Sequence, residues 1–250
     1  MRREVARECI EAGVTAADPE RAVRKQLHVT AERLHIGEAT FDLADYDRVV
    51  VAGGGKAAAA VARGLGAVLG DRIDGGIVVT DGDTGGLRTA DESRGEDEAD
   101  AENEGEEVEA QDEGEEAEGK EEEEGEATAE EEPVPVEVAV GDHPVPSERN
   151  VEATDRVVEL LEGADERTLV LAPVTGGGSA LLAAPTVTLE TFRELTEALV
   201  ESGADIHEIN AVRKRLSRVK GGGLAAAAAP ATVLALLVSD VVGDDPGIIA

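Results

Sequence analysis

Short apolar runs alternate with amphipathic stretches along most of the chain, and this alternation predicts β-strands joined by α-helices. Apolar runs of strand length occur at 48–52, 76–80, 134–140, 168–172 and 232–238. Segments with helical periodicity or capping residues occur at 1–12, from 18 onward, and at 57–69, 147–161, 188–203 and 205–217. The first of these strands, its helix and the next strand span about 33 residues, as in a βαβ unit with parallel strands. We therefore predict an α/β fold with a doubly wound, mostly parallel, Rossmann-like sheet and helices on both faces.

The alternation stops at about residue 83 and resumes at about residue 133. Glu and Gly dominate this interval, and 91–132 holds 24 acidic residues and 2 basic ones. A segment with so few apolar residues cannot bury enough surface to fold. We therefore predict a disordered acidic insertion over 83–132, within a single domain that spans 1–250.

The rest of the chain is acidic as well. Of the formal net charge of −33, a net −11 lies outside 91–132. Only 5 of the 23 basic residues are lysines, and aromatic residues make up 1% of the chain. This composition favours a salt-adapted protein, because dissolved salt screens the repulsion between its acidic groups. An ordinary acidic protein with one unusual insertion is the alternative.

Composition also argues against several classes of protein. A net charge of −33 repels nucleic-acid phosphates, so we expect no nucleic-acid binding. No apolar run approaches the roughly 18 residues of a membrane span, and the first residues lack the apolar core of a signal peptide. Cys9 is the only cysteine, which excludes an intrachain disulfide and a cysteine-built zinc site. Together these features predict a cytoplasmic protein without a membrane partner.

Two glycine runs each follow a predicted strand. The first ends in Lys56, and the second comprises Gly176, Gly177 and Gly178 followed by Ser179. Ligands of parallel sheets bind beyond the carboxyl ends of the strands, where glycine lets backbone N–H groups approach an anion. Neither run has the spacing of a Walker loop or of G-x-G-x-x-G. Each run alone fits an anion-binding loop or a tight strand-to-helix turn, and their joint presence favours the loop.

Lys56 is a candidate for anion binding in its own right. It stands at the start of a predicted helix, where a cation opposes the helix dipole. Such a position is unfavourable unless an anion binds nearby. We therefore predict that Lys56 contacts a phosphate or a carboxylate, with an exposed solubilising lysine as the alternative.

A second group of cations follows from the helix predicted at 205–217. Asn210, Arg213 and Lys214 share one stripe of this helix, and Lys220 follows it. Five cationic residues lie between Arg213 and Lys220, which predicts an anion-attracting patch in a very acidic chain. A charged, solvent-facing helix surface is the alternative.

Polar residues follow two other predicted strands. Asp240 and Asp244 come after the last strand, where carboxylates commonly hold Mg²⁺ or accept a proton. A polar loop without chemistry is the alternative. His143 lies in a proline-flanked loop after the strand at 134–140, so it can face the same edge of the sheet.

Five motifs, taken in order, resemble the N-terminal domain of glycerate 2-kinases, a class often labelled hydroxypyruvate reductase. They read VVVAGGGKAAAAVARGL, GDHPVPSERNVEATDRVVEL, TGGGSALL, SGADIHEINAVRKRLSRVKGGGLA and LLVSDVVGDDPGIIA. The resemblance covers about 1–82 and 133–250, and 202–225 is its most specific part. The chain departs from the family's usual residues at Thr175 (usually Ser), Ser147 (usually Asp) and Arg215 (usually His).

This resemblance implies a reaction and a domain arrangement. The implied activity is an ATP-dependent, Mg²⁺-requiring phosphorylation of D-glycerate at its 2-hydroxyl. The family also has a second, smaller C-terminal domain, with the active site in the cleft between the two. We therefore expect a truncated chain that binds nucleotide or glycerate weakly and turns over neither. The missing domain would be supplied in cis or by an adjacent chain, and a homodimer stays open.

The resemblance also assigns roles to residues by position. It implies that Lys56 and Asp240 are catalytic, and that Asp240 and Asp244 bind the metal. The implied nucleotide- and phosphate-binding residues are Gly54, Gly55, Gly176, Gly177, Gly178, Ser179 and Lys220. The implied substrate-binding residues are Glu208, Asn210, Arg213 and Lys214. From helical phasing alone Glu208 falls on the far side and has a structural interpretation.

Two other functions stay open at this stage. One is NAD(P)H-dependent reduction of hydroxypyruvate, against which the absence of G-x-G-x-x-G counts. The other is a non-catalytic domain that binds a nucleotide or another anion, with the acidic segment serving interaction or solvation.

The predicted insertion leads to a first test. We expect deletion of 91–132 to preserve the fold, because this segment cannot contribute to a core. The deletion removes a net charge of −22, so the variant should need less KCl to reach a given Tm. Thermal melts over a KCl series measure this, and amide-exchange protection within 100–125 of the intact chain would contradict the prediction.

Overall fold

The protein is described by a computed structural model, which covers residues 2–82, 84, 86–89 and 134–239. Almost all of the predicted acidic insertion, together with Asp240 and Asp244, lies outside these described residues. Apart from Met1, the predicted strands and helices lie within them, as do both glycine runs, so the predicted fold can be compared with the observed one.

The observed elements follow the predicted alternation after residue 47. The helices are α1 (Arg2–Ala16), α2 (Pro19–Gln26), α3 (Ala58–Leu69), α4 (Glu148–Glu162), α5 (Gly178–Leu181), α6 (Leu189–Glu201), α7 (Ile206–Arg215) and α8 (Gly223–Ala227). The strands are β1 (Leu27–Thr30), β2 (Arg33–Ile36), β3 (Ala39–Asp42), β4 (Arg48–Gly54), β5 (Gly75–Thr80), β6 (Val136–Val140), β7 (Thr168–Thr175) and β8 (Thr232–Val238). None of the described helices has the length and apolar character needed to cross a membrane.

Five of the strands form one sheet in the order β6-β5-β4-β7-β8, and every neighbouring pair is parallel. The first strand of this sheet along the chain is β4, which lies in its middle. The next two strands, β5 and β6, lie on one side of β4, and the last two, β7 and β8, lie on the other. The direction of winding therefore reverses between β4 and β7. In open α/β sheets this reversal opens a crevice at the carboxyl ends of the two strands, which is where ligands bind. The predicted doubly wound parallel sheet is confirmed.

Helices cover both faces of the sheet because the strand residues alternate in direction. Val49 and Val51 of β4 belong to a buried cluster that includes α3. Val50 and Ala52 belong to a second cluster, which includes Val157 and other apolar residues of α4. Strands that are apolar on both faces are typical of sheets covered on both sides.

Strands β1, β2 and β3 form a separate antiparallel sheet, which the sequence analysis did not predict. The turn between β1 and β2 consists of Ala31 and Glu32, both with positive φ (49° and 62°). Such a two-residue hairpin turn normally carries Asn or Gly, so the usual sequence signal is absent. Leu34 of β2 is fully buried against the α3 side of the main sheet.

Candidate functional site

The two glycine runs meet at the crevice between β4 and β7. The Lys56 backbone N–H donates to the Gly176 carbonyl oxygen at 2.8 Å. The Ala57 backbone N–H donates to Thr175 Oγ1 at 3.0 Å. On the other side, the Gly55 N–H donates to the Val79 carbonyl at 2.9 Å. The loops after β4 and β7 therefore form one hydrogen-bonded unit at the carboxyl edge of the sheet.

This contact requires glycine at particular positions. Gly55 has φ +134°, and a Cβ there would lie 2.2 Å from Thr175 Oγ1. An ideal Cβ built on Gly178 would lie 3.1 Å from the Gly54 carbonyl oxygen. A larger residue at either position would push the two loops apart.

Helix α3 begins directly after the first loop, and no side chain caps it. Ala57 stands at the N-cap and has no side-chain oxygen that could accept from the first-turn N–H groups. The Lys56 side chain is exposed beside this helix end, and it makes no hydrogen bond or ion pair within the described residues. A lysine and uncapped N–H donors at one helix end together suit an anion.

A third loop, between β6 and α4, is fixed by a single buried amide. Asn150 Oδ1 accepts hydrogen bonds from the Asp142 N–H, the Ser147 N–H and Ser147 Oγ, each at 2.9 Å. Its Nδ2 donates to the Asp142 carbonyl at 2.9 Å and to the Ala180 carbonyl at 3.1 Å. Since Ala180 lies in α5, Asn150 ties the loop that carries His143 to the second glycine run.

Arg213 reaches the second glycine run from α7. Its Nη2 donates to the Ser179 carbonyl at 3.1 Å, and its Cζ lies 5.8 Å from the centroid of the Phe192 ring. Its Nε is buried and has no hydrogen-bond partner among the described residues. Burial lowers the pKa of the Arg213 guanidinium. A buried donor without a partner is costly, so this Nε–H is suited to donate a hydrogen bond to a bound ligand.

Lys220 borders a cavity on the same side. The cavity has a volume of about 170 Å³, lies between β7, β8 and α8, and includes Gly178, Ser179, Lys220 and Gly221 in its wall. Burial, followed by the charges of Arg213 and Lys214, lowers the pKa of Lys220 to about 7. The Lys214 side chain lies against Gly221, with its Cβ 3.5 Å from the Gly221 Cβ position. Three cations from one short segment are therefore neighbours.

Lys56, Arg213 and Lys220 are among the described cations that form no ion pair. Many arginines elsewhere pair with a carboxylate: Arg63 with Glu20, Arg72 with Glu32, Arg156 with Glu137, Arg167 with Asp47, and Arg218 with Asp155. In a chain with 56 acidic residues, the three cations without an ion pair leave a locally positive surface.

The predicted site residues thus fall into three groups. The structure brings the glycine runs, Lys56, Arg213, Lys214 and Lys220 to one edge of the sheet. Glu208 completes a capping box at the start of α7, where its Oε2 accepts from the Asp205 N–H at 3.0 Å. Asn210 is buried. Asp240 and Asp244 lie outside the described residues, so their assignment stays a prediction.

Sequence reasoning missed Asn150. Asn150 lies in the helical segment predicted at 147–161, and its place three residues after Ser147 fits a capping box. His143 was considered because of its loop, but it was not assigned to the site. The structure places both residues beside the second glycine run.

No group of three or more described His, Cys, Asp or Glu residues is suited to hold a metal ion. The described part of the site is cationic and therefore suits the phosphate groups of a ligand rather than a bare cation.

Asn150 provides a test of how the site is held together. Asn150→Ala leaves the Asp142 N–H and carbonyl, the Ser147 N–H and the buried Ala180 carbonyl without their partner. We expect the free energy of unfolding to fall by about 3 kcal/mol, since each buried polar group left unpaired costs roughly 1–3 kcal/mol. Urea denaturation measures this. Asn150→Asp retains the acceptor oxygen but turns a carboxylate oxygen towards the Asp142 and Ala180 carbonyls, so it should also destabilise the protein, and more strongly as the pH rises and the carboxyl group ionises.

Lys220 provides a test with a defined pH dependence. Because the pKa of Lys220 is lowered to about 7 from 10.5, its charged form is disfavoured in the folded protein. The resulting destabilisation is fully present below about pH 7 and declines as the pH rises towards the ordinary lysine pKa. We expect Lys220→Met to raise the Tm at about pH 6.5 and to raise it less at about pH 9.5. The matched control is Lys25→Met, which changes an exposed lysine of α2; a pH-independent gain for Lys220→Met would contradict the prediction.

Comparisons with known proteins agree with this architecture. Residues 5–250 match a family described as "Domain of unknown function (DUF4147)". The D-glycerate 2-kinase of Thermotoga maritima is 33% identical over 250 residues, which are 99% of this chain and 46% of that protein. The glycerate kinase of Danio rerio is 30% identical over 248 residues, which are 98% of this chain and 43% of that protein. A putative hydroxypyruvate reductase of Agrobacterium vitis is 46% identical over 117 residues, 46% of this chain and 27% of that protein.

Two crystal structures share the fold. The glycerate kinase of Thermotoga maritima has a TM-score of 0.65 at 33% identity and aligns with 98% of this chain and 46% of its own. The PH0495 protein of Pyrococcus horikoshii has a TM-score of 0.71 at 29% identity, with 99% of this chain and 46% of its own aligned. The chain thus spans just under half the length of the relatives that it matches from end to end. It belongs to the DUF4147 domain family, the family of the N-terminal domain of glycerate kinases.

Proposed function

We propose that this chain carries the nucleotide- and substrate-binding part of a glycerate 2-kinase. The reaction is the transfer of a phosphoryl group from ATP, with Mg²⁺, to the 2-hydroxyl of D-glycerate, giving 2-phosphoglycerate. One observation carries the proposal: two hydrogen-bonded glycine loops lie at the reversal point of the sheet, and Lys56 and Arg213 adjoin them without an ion pair to any described residue. The names of the Thermotoga and Danio relatives support it.

The chemistry of phosphoryl transfer suits such a site. The transferred group keeps its negative charge on its equatorial oxygens, so the protein contributes mainly positioning and charge stabilisation. Glycine loops supply close backbone approach, and lysines and arginines supply positive charge. ATP and glycerate are both anionic, and an overall net charge of −33 would repel them unless a local cationic surface were present.

Each group of residues then has a role. Lys56 and the uncapped first turn of α3 bind the transferred phosphoryl group, because both follow the first glycine loop and Lys56 Cγ lies beside Gly177 of the second. The second glycine loop, Ser179 and Lys220 bind the other phosphates of the nucleotide. Arg213, with Asn210 and Lys214 on the same helix, binds the glycerate carboxylate, for which a guanidinium offers a planar pair of donors.

A Mg²⁺ ion bound with the nucleotide would supply further neutralisation of the phosphate charge. Asp240 and Asp244 are its proposed protein ligands, with Asp240 also a candidate to accept the hydroxyl proton. Glu208 is proposed as a substrate-binding residue by resemblance alone, because its carboxylate caps α7 in the structure.

The second candidate function is reduction of hydroxypyruvate with NAD(P)H. The name of the Agrobacterium relative favours it, and the strand order around the crevice also occurs in dinucleotide-binding folds. Neither glycine run has the G-x-G-x-x-G spacing that close approach to a pyrophosphate uses in those folds. Parallel assays, one for 2-phosphoglycerate formed with ATP and one for NADPH consumed with hydroxypyruvate, separate the two functions.

Lys56→Ala tests the proposed function. The substitution removes a charge-assisted contact to an anion, typically worth about 1.5–3 kcal/mol. We therefore expect kcat/KM for 2-phosphoglycerate formation to fall at least about tenfold, while the Tm barely changes because the side chain is exposed. Lys25→Ala, at an exposed lysine of α2, removes the same charge and should leave kcat/KM unchanged.

The assay of 2-phosphoglycerate formation is run at high KCl with Mg²⁺. It is applied to this chain and to this chain joined to the second half of the Thermotoga relative. ATP binding to the unjoined chain is followed in parallel by calorimetry. An unchanged kcat/KM and an unchanged Kd for ATP in Lys56→Ala would remove Lys56 from the site.

A further inference from the structure

His143 meets Lys56 at a single point of the second glycine loop. A Cβ placed on Gly177 would lie 3.0 Å from Lys56 Cγ, 3.1 Å from His143 Cδ2 and 3.2 Å from His143 Nε2. Gly177, whose φ is +82°, is a glycine and therefore presents no side chain between the two. The imidazole ring and the lysine side chain therefore pack on the same backbone position, from the loop after β6 and the loop after β4.

The His143 ring has no partner that would explain its place. It is half-buried, and it makes no hydrogen bond, ion pair or ring contact with the described residues. An imidazole can both donate and accept hydrogen bonds, and a structural histidine usually uses at least one of its nitrogens. Here both nitrogens are left for solvent or for a ligand.

The loop that carries His143 is nevertheless rigidly held. Asn150, which is fully buried, makes three hydrogen bonds to this loop through Oδ1 and one through Nδ2. The second Nδ2 bond reaches the Ala180 carbonyl, just beyond the second glycine run. A buried network that orients one half-buried functional group is the arrangement that binding sites use to hold a contact residue in place. The network fixes the position of His143 relative to Gly177.

We propose that His143 is a further ligand-contacting residue of this site, whose Nε2 donates a hydrogen bond to the same anionic group that Lys56 contacts. The identification of that group as the transferred phosphoryl group rests on the proposed function. The contact itself rests on the convergence of His143 and Lys56 at Gly177. In chemical terms, one tetrahedral anion would be bound at two points. Lys56 would supply positive charge, and His143 would supply a directional hydrogen-bond donor.

The imidazole can be observed directly. The chain contains four histidines, and selective ¹⁵N labelling of their rings allows each to be followed by NMR. We expect the His143 ring nitrogens to shift on addition of ATP, and of pyrophosphate as a simpler probe, both without Mg²⁺. His28 and His35 are internal controls, because they stack on each other in the antiparallel sheet with ring centroids 4.8 Å apart.

Three variants separate the roles that His143 can play. His143→Gln keeps an N–H donor near the place of Nε2, His143→Asn keeps one nearer the place of Nδ1, and His143→Ala keeps neither. We expect the Kd for ATP to rise about tenfold in His143→Ala and in His143→Asn, and to stay within about threefold of the parent value in His143→Gln. Thermal melts check that each variant is folded.

The outcomes distinguish this inference from the proposed function. If the amides of both glycine runs shift with ATP while the His143 ring and the Kd of His143→Ala do not, the inference is wrong and the nucleotide site stands. If His143→Gln raises the Kd for ATP as much as His143→Ala does, hydrogen-bond donation from Nε2 is wrong and a role in which the ring accepts a proton is favoured. If neither the amides nor the ring respond to ATP or pyrophosphate, and Lys56→Ala changes nothing, both proposals fail together.

Discussion

The direct contact between two backbone loops is the constraint on which the rest of this site depends. The loops after β4 and β7 leave the sheet in opposite directions, so they would normally diverge and leave a crevice. Here the Lys56 N–H and the Ala57 N–H bond to the partner loop at 2.8 and 3.0 Å, which brings the two together at the point of divergence. Only glycine permits this approach, because a Cβ on Gly55 would lie 2.2 Å from Thr175 Oγ1. Each loop therefore determines where the other presents its side chains.

From this contact the cations acquire fixed positions relative to one another. Lys56 extends from the first loop, and Arg213 is attached to the second by its bond to the Ser179 carbonyl. Lys220 shares a cavity wall with Ser179, and burial next to Arg213 and Lys214 lowers the pKa of Lys220 to about 7. Such crowding of like charges is unfavourable in the empty site. A multiply charged anion, as proposed for this site, would offset this repulsion through its own attraction to each cation.

The main sheet was predictable because its signals are local. Runs such as 168–172 are apolar on both faces, and capping residues such as Asp18, Thr188 and Asp205 mark helix starts that the structure reproduces. The antiparallel sheet of β1 to β3 was not predictable, because its first turn uses Ala31 and Glu32 in place of the usual Asn or Gly. Its strands are also only four residues long, too short for an alternating pattern to stand out.

The site was predictable only in part, for a related physical reason. Residue type and position relative to a strand identify Lys56 and the glycine runs, since the carboxyl edge of a parallel sheet is one place in space. Contacts between loops far apart in sequence carry no such local signal. The meeting of His143 with Lys56 at Gly177 depends on the register between β6, β5, β4 and β7, and on a buried amide in α4. That amide is what converts three separate loops into one surface: it holds the β6 loop to α5, α5 begins at the second glycine loop, and the second glycine loop is bonded to the first. The geometry of the candidate site is thus a property of the whole sheet edge and of no single motif.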